Sequence, residues 1–302
     1  MNKFRYAFMV LLGGAMYGTM SSFVKQSYAK GYHAAEIAFY QAFIAALLLG
    51  GYSLFTLSGT DYRKMTSKSG GFLLLAGGCI GLTNFLYYQS VSYISASLAI
   101  VILMQFTWIS MLLEWLFFRK KPGAVECITV AFILAGTVLA GELTHANVFS
   151  VSWKGIVLAL ATSFTYALYI VANSRMGKEV KWQMKSTVIM LGSSSLIFLV
   201  NLRTIVAGNY LNQEFLLWAI FLAVAGTTIP TALFSVGIPK IGAGTSAILM
   251  TVEFPVAVLC AYVVLGEALN IVQIIGIAIM LVAITAMNYV KLRVTNRVIP
   301  FS

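Results

Sequence analysis

The chain has 302 residues, 60% of them hydrophobic and only 10% charged, with a mean hydropathy of +0.89. This composition excludes an ordinary soluble core and fits a polytopic membrane protein. The formal net charge of +11 would suit a nucleic-acid partner, but the basic residues sit at the ends of long apolar runs, where membrane topology places them. No nucleic-acid partner is expected.

Ten apolar stretches are predicted to span, at 6–27, 34–54, 70–88, 95–118, 123–143, 153–172, 186–206, 215–236, 245–265 and 269–290. Each is close to the roughly 20 residues that cross a ~30 Å hydrocarbon core. The first has no cleavage-like site and reads as a span, not a signal peptide. With the N-terminus cytoplasmic, only Lys25, Lys30, Lys154 and Arg203 of the 20 Lys and Arg fall on the outer side. That bias sets the expected orientation, and an even number of spans returns the C-terminus to the cytoplasm. The expected class is an all-α integral membrane protein of ten transmembrane helices, multi-pass in the cell membrane and surrounded by its lipids.

In the first span Gly14, Gly18, Ser21 and Lys25 share one face, either as a helix-packing stripe or as the small, polar wall of an aqueous cavity. Lys25 is the rim or gate candidate, and Tyr17 lies beside this face. His33, Glu36, Tyr40 and Gln41 open the second span as interfacial anchors. The third repeats the first pattern with Gly77, Gly81, Asn84 and Tyr88, where Asn84 is interhelical glue or a solute ligand. In the fourth, Gln105 and Trp108 lie near the midpoint, and Trp108 is expected in the core or at a cavity because it is too deep for the aromatic belt. Glu114, nearer the inner end, is expected to pair with the basic cluster of Arg119, Lys120 and Lys121.

The sixth span contributes Ser163, Thr165, Tyr166 and Tyr169. The eighth carries Gly226, Thr227, Thr228, Pro230 and Thr231, with a predicted helix break at Pro230 that frees the Gly226 carbonyl. The ninth holds Glu253 two residues from its midpoint at Pro255. An acid at that depth costs on the order of 3 kcal/mol on insertion scales, so it faces protein or water. Pro255 cannot donate to the Thr251 carbonyl, which predicts a second break one turn from the carboxylate. Cys79, Cys127 and Cys260 lack metal spacing and read as packing residues without a disulfide.

Sliding the chain by about 147 residues lays Ile94, Ser95, Ala96 and Ser97 over Ile241, Gly242, Ala243 and Gly244, and brings Gln105 within one residue of Glu253. Five spans per half is odd, so the halves 1–147 and 148–302 are expected to be inverted repeats with a site near the midplane between them.

The order Glu253-Phe254-Pro255, then Leu265-Gly266-Glu267, then Gln273 and Gly276, together with the first-span stretch 17–26 ending near Lys25, resembles the EamA family of the drug/metabolite transporter superfamily. The resemblance covers nearly the whole chain. It implies a basket-like ten-helix transporter whose cavity is built by spans 1, 3, 4, 6, 8 and 9. Activities in that family include export of amino acids and other metabolites, with some members handling drugs or quaternary amines. The chain departs from an internally symmetric pattern in two places: Arg119 to Lys121 stand where Gly266 and Glu267 would repeat, and no proline matches Pro255.

The expected function is a secondary transporter, an exporter of small polar metabolites such as amino acids or related amines, working by alternating access. Its cavity candidates are Ser21, Asn84, Tyr88, Gln105, Trp108, Tyr166, Tyr169, Thr227, Thr231 and Glu253, with Glu253 also the coupling candidate for a proton or counter-substrate. Alternatives are an uptake carrier or facilitator for a cationic or quaternary amine, and a non-transporting receptor. No P-loop is present. His33 and His145 lie at the outer boundary and Asp61 is the one aspartate, so no catalytic, metal or cofactor site is expected. No oligomeric state is assigned.

Overall fold

In the computed structural model, which describes residues 3–94, 96–140, 152–207, 212–266 and 269–298, every described element is helical. Ser95, His145, Glu267 and the expected junction at 147/148 lie outside the described residues. The first three predicted stretches are α1 (Lys3–Ala29), α2 (Ala34–Thr56) and α4 (Ser67–Val91), with a short α3 (Gly59–Arg63) in the connecting loop. The fourth is divided into α5 (Ala96–Leu103) and α6 (Phe106–Phe118). Next come α7 (Ala124–Ala140), α8 (Trp153–Arg175) and α9 (Trp182–Val200), the last followed by a short α10 (Leu202–Ala207) after Asn201. The eighth stretch is α11 (Gln213–Ala223), a π-helical turn (Val224–Thr228) and α12 (Ile229–Ile241). The ninth is α13 (Ala243–Met250), α14 (Glu253–Cys260) and a second π-helical turn (Ala261–Leu265), and α15 (Ile271–Val298) ends the described chain. Among the described residues nine helices are long and apolar enough to cross a membrane, and Ala124–Ala140 is a shorter apolar helix.

Polarity is distributed as a bilayer requires. Phe55, Leu116 and Val263 stand exposed, while Gln41, Glu114, Lys185 and Glu253 are buried. Helices form because backbone groups in hydrocarbon have no water to bond and must be satisfied within the segment. The principal packing partners come from opposite ends of the chain: α1 lies on α12, α13 and α14, α4 on α8 and α9, α2 on α9, and α7 on α15.

Small residues make these approaches close. A Cβ on Gly18 would collide with the carbonyl oxygen of Glu253, and one on Gly77 with that of Ile189. Gly136 and Gly276 face each other, each placing its carbonyl oxygen 2.5–2.7 Å from where the other's Cβ would sit. The Gly14/Gly18 and Gly77/Gly81 stripes are therefore packing stripes, and the polar residues one turn on (Ser21, Asn84) reach the cavity described below.

The interruptions differ from those expected. At Pro230 the helix is not opened. It widens into the π-helical turn, with the Ile229 N–H reaching the Val224 carbonyl and Pro230 in the first turn of α12, where its missing N–H leaves no gap. In the ninth span the chain breaks at Thr251 and Val252, ahead of Pro255, so Glu253 begins a new helix.

The fourth span breaks in the same way without any proline. The Gln105 N–H donates to Ile102 O (3.1 Å), Thr107 N–H to Met104 O (3.2 Å) and Ile109 N–H to Gln105 O (3.2 Å). The corresponding bonds 147 positions later are Val252 to Leu249 (3.3 Å), Phe254 to Thr251 (3.1 Å) and Val256 to Val252 (3.1 Å). In the fourth span the Ser163 hydroxyl donates to the Ile102 carbonyl at 2.6 Å, a side chain entering the helical ladder at the break.

Both spans also end alike, in left-handed residues Arg119 (φ 53°) and Gly266 (φ 68°), again 147 apart. Arg119 is the only non-glycine with positive φ among the described residues. A Cβ in that conformation costs roughly 1 kcal/mol. Arg119→Gly is expected to raise the melting temperature of the purified protein, and a lower one would show that the guanidinium contributes more than the strain costs.

Candidate functional site

The break at Thr251 and Val252 puts Glu253 in the first turn of α14, where the N-terminal end of the helix dipole favours a carboxylate. Its position is fixed from behind by Gly18, whose bare Cα lets α1 rest on the Glu253 backbone. From α8 the Tyr166 hydroxyl donates to Glu253 Oε2 at 3.2 Å. Tyr17 on α1 and Tyr87 and Tyr88 on α4 lie within electrostatic range of the same carboxylate. The groups enclose a cavity of about 30 Å³ lined by Tyr17, Ser21, Asn84, Tyr87, Tyr88 and Glu253, with Gly18, Met20, Ile100 and Ala257. That is room for about one water.

Tyr166 is held as rigidly as the acid it meets. Phe106, just after the break in the fourth span, tilts against it with ring centroids 4.7 Å apart. Tyr169 stacks beside it at 6.4 Å and 12° and receives a hydrogen bond from Asn173 Nδ2 at 3.1 Å. Tyr169 thus belongs to the shell around the cavity.

The remaining candidates are dispersed. Thr231 is buried beside Tyr17, with its hydroxyl 3.9 Å from the Met190 sulfur. Thr227 is bonded by Gln41 Nε2 at 2.5 Å. Gln41 and Glu36, expected as interfacial anchors, are both buried, and Glu36 accepts from the His33 backbone N–H at the start of α2. Gln105 and Trp108 do not join the cavity. Trp108 is 43% exposed and its Nε1 donates to Gln105 Oε1 at 2.8 Å. The turn at Met104 and Gln105 resets the azimuth of the helix that follows, so Phe106 takes the inward place that spacing assigned to Trp108. Lys25 is exposed at the far end of α1. Cys127 is likewise exposed, against the packing role expected for it, and no disulfide occurs among the described residues.

A second polar cluster lies where α6 and α8 end and α13 begins. The buried Glu114 accepts from Arg175 Nη2 at 2.5 Å, from Lys120 Nζ at 3.4 Å and from the Gly244 backbone N–H at 3.2 Å. Lys120 is the partner expected from the basic cluster. Arg175 and Gly244 were not foreseen, because they lie 61 and 130 residues away in sequence. On the same face Lys181 bonds Asp61 at 2.9 Å, and this contact, with the Ser58 backbone N–H, holds the Asp61 carboxyl down to about 2. Among the described residues no group of three or more His, Cys, Asp or Glu could hold a metal.

Comparison with known proteins agrees with this architecture. A family model described as the EamA-like transporter family matches residues 4–141 and again 153–289. The chain is 24% identical over 296 residues to the uncharacterized transporter YcbK of Bacillus subtilis, covering 94% of this chain and 93% of that one. It is 26% identical over 216 residues to the threonine/homoserine exporter RhtA of Salmonella typhimurium, covering 70% and 68%. A crystal structure superposes with a TM-score of 0.78 at 14% identity, covering 94% of this chain and 98% of the other, a likeness of fold. With nearly all of its length matched by the family model in two consecutive stretches, the chain is a multi-pass membrane protein that belongs to the EamA-like transporter family.

Proposed function

We propose that the protein is a secondary transporter exporting small polar metabolites, amino acids or related amines, across the cytoplasmic membrane. In this reading 1–147 and 148–302 are inverted five-helix repeats, both termini are cytoplasmic, and the halves alternate access to the Glu253 cavity. The observation that carries it is a single carboxylate enclosed by tyrosines at the broken ninth span, the arrangement from which midplane solute sites are built. The repeat is supported by the paired breaks, the paired left-handed ends and the double family match. A cavity with room for about one water must widen to admit a solute.

A second reading draws on the same ring. A carboxylate among Tyr17, Tyr87, Tyr88 and Tyr166 suits a cationic amine through cation–π contact.

The test is flux in liposomes. Purified protein is expected to release preloaded threonine or homoserine faster than protein-free liposomes, with saturation. Release of a quaternary amine in place of the amino acids would favour the second reading. Ligand-induced thermal stabilisation without release of any solute would overturn transport and leave a receptor.

A further inference from the structure

Below the central cavity along α1 lies a second, larger one. It has a volume of about 410 Å³ and is walled by the start of α1, the α8–α9 connection and the end of α12. Five cations line it, Arg5, Lys178, Lys181, Lys185 and Lys240, against one acid, Glu179. Lys181 is engaged by Asp61, and Lys185, buried, spends two donors on the Asn173 and Met176 carbonyls at 2.6 and 3.0 Å. Arg5, Lys178 and Lys240 make no ion pair among the described residues. Ser235, 4% exposed and also in the wall, has a hydroxyl without a partner. Unneutralised cations around a concave space are suited to an oxyanion.

The two cavities are stacked on one face of α1. Tyr6 and Met9 line the basic pocket and Tyr17 lines the Glu253 cavity. Between them, at Gly13, sits the fully buried ring of Phe234, which also packs on Tyr17 with centroids 5.6 Å apart. A Cβ on Gly13 would lie 2.6 Å from that ring, so the missing side chain is what seats it. Phe234 thus packs on α1 between the residues that line the two spaces.

We propose that the basic pocket is the cytoplasmic docking station for the carboxylate of the transported solute, and that Phe234, seated on Gly13, is the gate between it and the Glu253 cavity. This deepens the transporter reading and rests on it. A zwitterion would meet cations first and the Glu253 carboxylate second, its two ends recognised in turn.

Thiol accessibility tests both parts without a known substrate. In a background lacking Cys79, Cys127 and Cys260, Met9→Cys places a thiol in the pocket wall. An anionic methanethiosulfonate reagent is expected to modify it from the face carrying Lys178 and Lys240 about tenfold or more faster than a cationic one, by electrostatic focusing. Lys178→Gln with Lys240→Gln should bring the ratio towards one. Equal rates in the parent, or a faster cationic reagent, overturn the docking station.

For the gate, a Ser21→Cys thiol should be protected from that face and become reactive with Phe234→Ala. Gly13→Ala, which displaces the ring without removing it, should do the same if the first variant folds poorly. Unchanged protection in a folded Gly13→Ala protein overturns the gate. Solute flux with no charge preference at Met9→Cys would sink the station alone, whereas a clear preference without flux would sink the transporter reading.

Discussion

Glu253→Gln is expected to leave the protein folded and to uncouple transport from an imposed pH gradient. The amide oxygen can still accept from the Tyr166 hydroxyl, now 3.2 Å from Oε2. The added NH₂ lies beside a cavity with space for about one water. The interhelical framework around it, from Gly18 behind to Phe106 and Tyr169 beside Tyr166, does not depend on the charge. What disappears is the one carboxyl group in the enclosed ring, the group that could carry a proton or hold a cation. Gradient-driven flux should fall by roughly tenfold or more, as for loss of an intramembrane charge relay, with the melting temperature nearly unchanged. If the glutamine variant still follows the gradient, proton carriage by Glu253 is wrong. If it does so while losing affinity for amines, the carboxylate binds solute instead.

The largest structural loss is expected at Glu114. Glu114→Ala removes the acceptor shared by Arg175, Lys120 and the Gly244 N–H, a bond network that joins α8 and α13 to the end of α6. Breaking a fully buried ion pair costs about 3–5 kcal/mol. Here the Arg175 and Lys120 side chains are 26% and 48% exposed and can recover water, which lowers the expected cost to about 2 kcal/mol. Glu114→Gln keeps an acceptor for Gly244 and should lose about half as much. Thermal denaturation in detergent measures both. A loss below about 0.5 kcal/mol for the alanine variant would place the cluster with ordinary surface pairs. Because the cluster ties the ends of α6 and α8 to the start of α13 at one face, its weakening should also raise thiol accessibility there.

How much of this was legible in the sequence follows from what each signal encodes. Apolar run length marks the long helices, because in hydrocarbon the backbone has no alternative to internal hydrogen bonds. Spacing along a helix encodes which residues share a face; on α4 Gly77 and Gly81 meet α9, while Asn84 and Tyr88, further along, line the Glu253 cavity. The intramembrane cost of a carboxylate was enough to single out Glu253. The shift of 147 residues, read first from weak self-similarity, recurs in backbone hydrogen bonds that composition cannot show.

Spacing does not encode which face turns inward, nor what happens to the azimuth beyond an interruption. The break at Met104 and Gln105 carries no proline to announce it. It turned Phe106 towards Tyr166 and left Trp108 exposed. Gln41 was read as an anchor because it stands near the start of its helix, yet Thr227, 186 residues away, draws it inside. Glu253 itself moved from a residue near a proline kink to the first turn of a new helix, since the chain had already broken at Thr251. The sequence by itself determined the long apolar helices, the residues that share a face along each, and the acid proposed as the centre of the site. Only the tertiary structure decided which faces meet, because pairings across 60 to 190 residues depend on the packing of whole helices and leave no local trace.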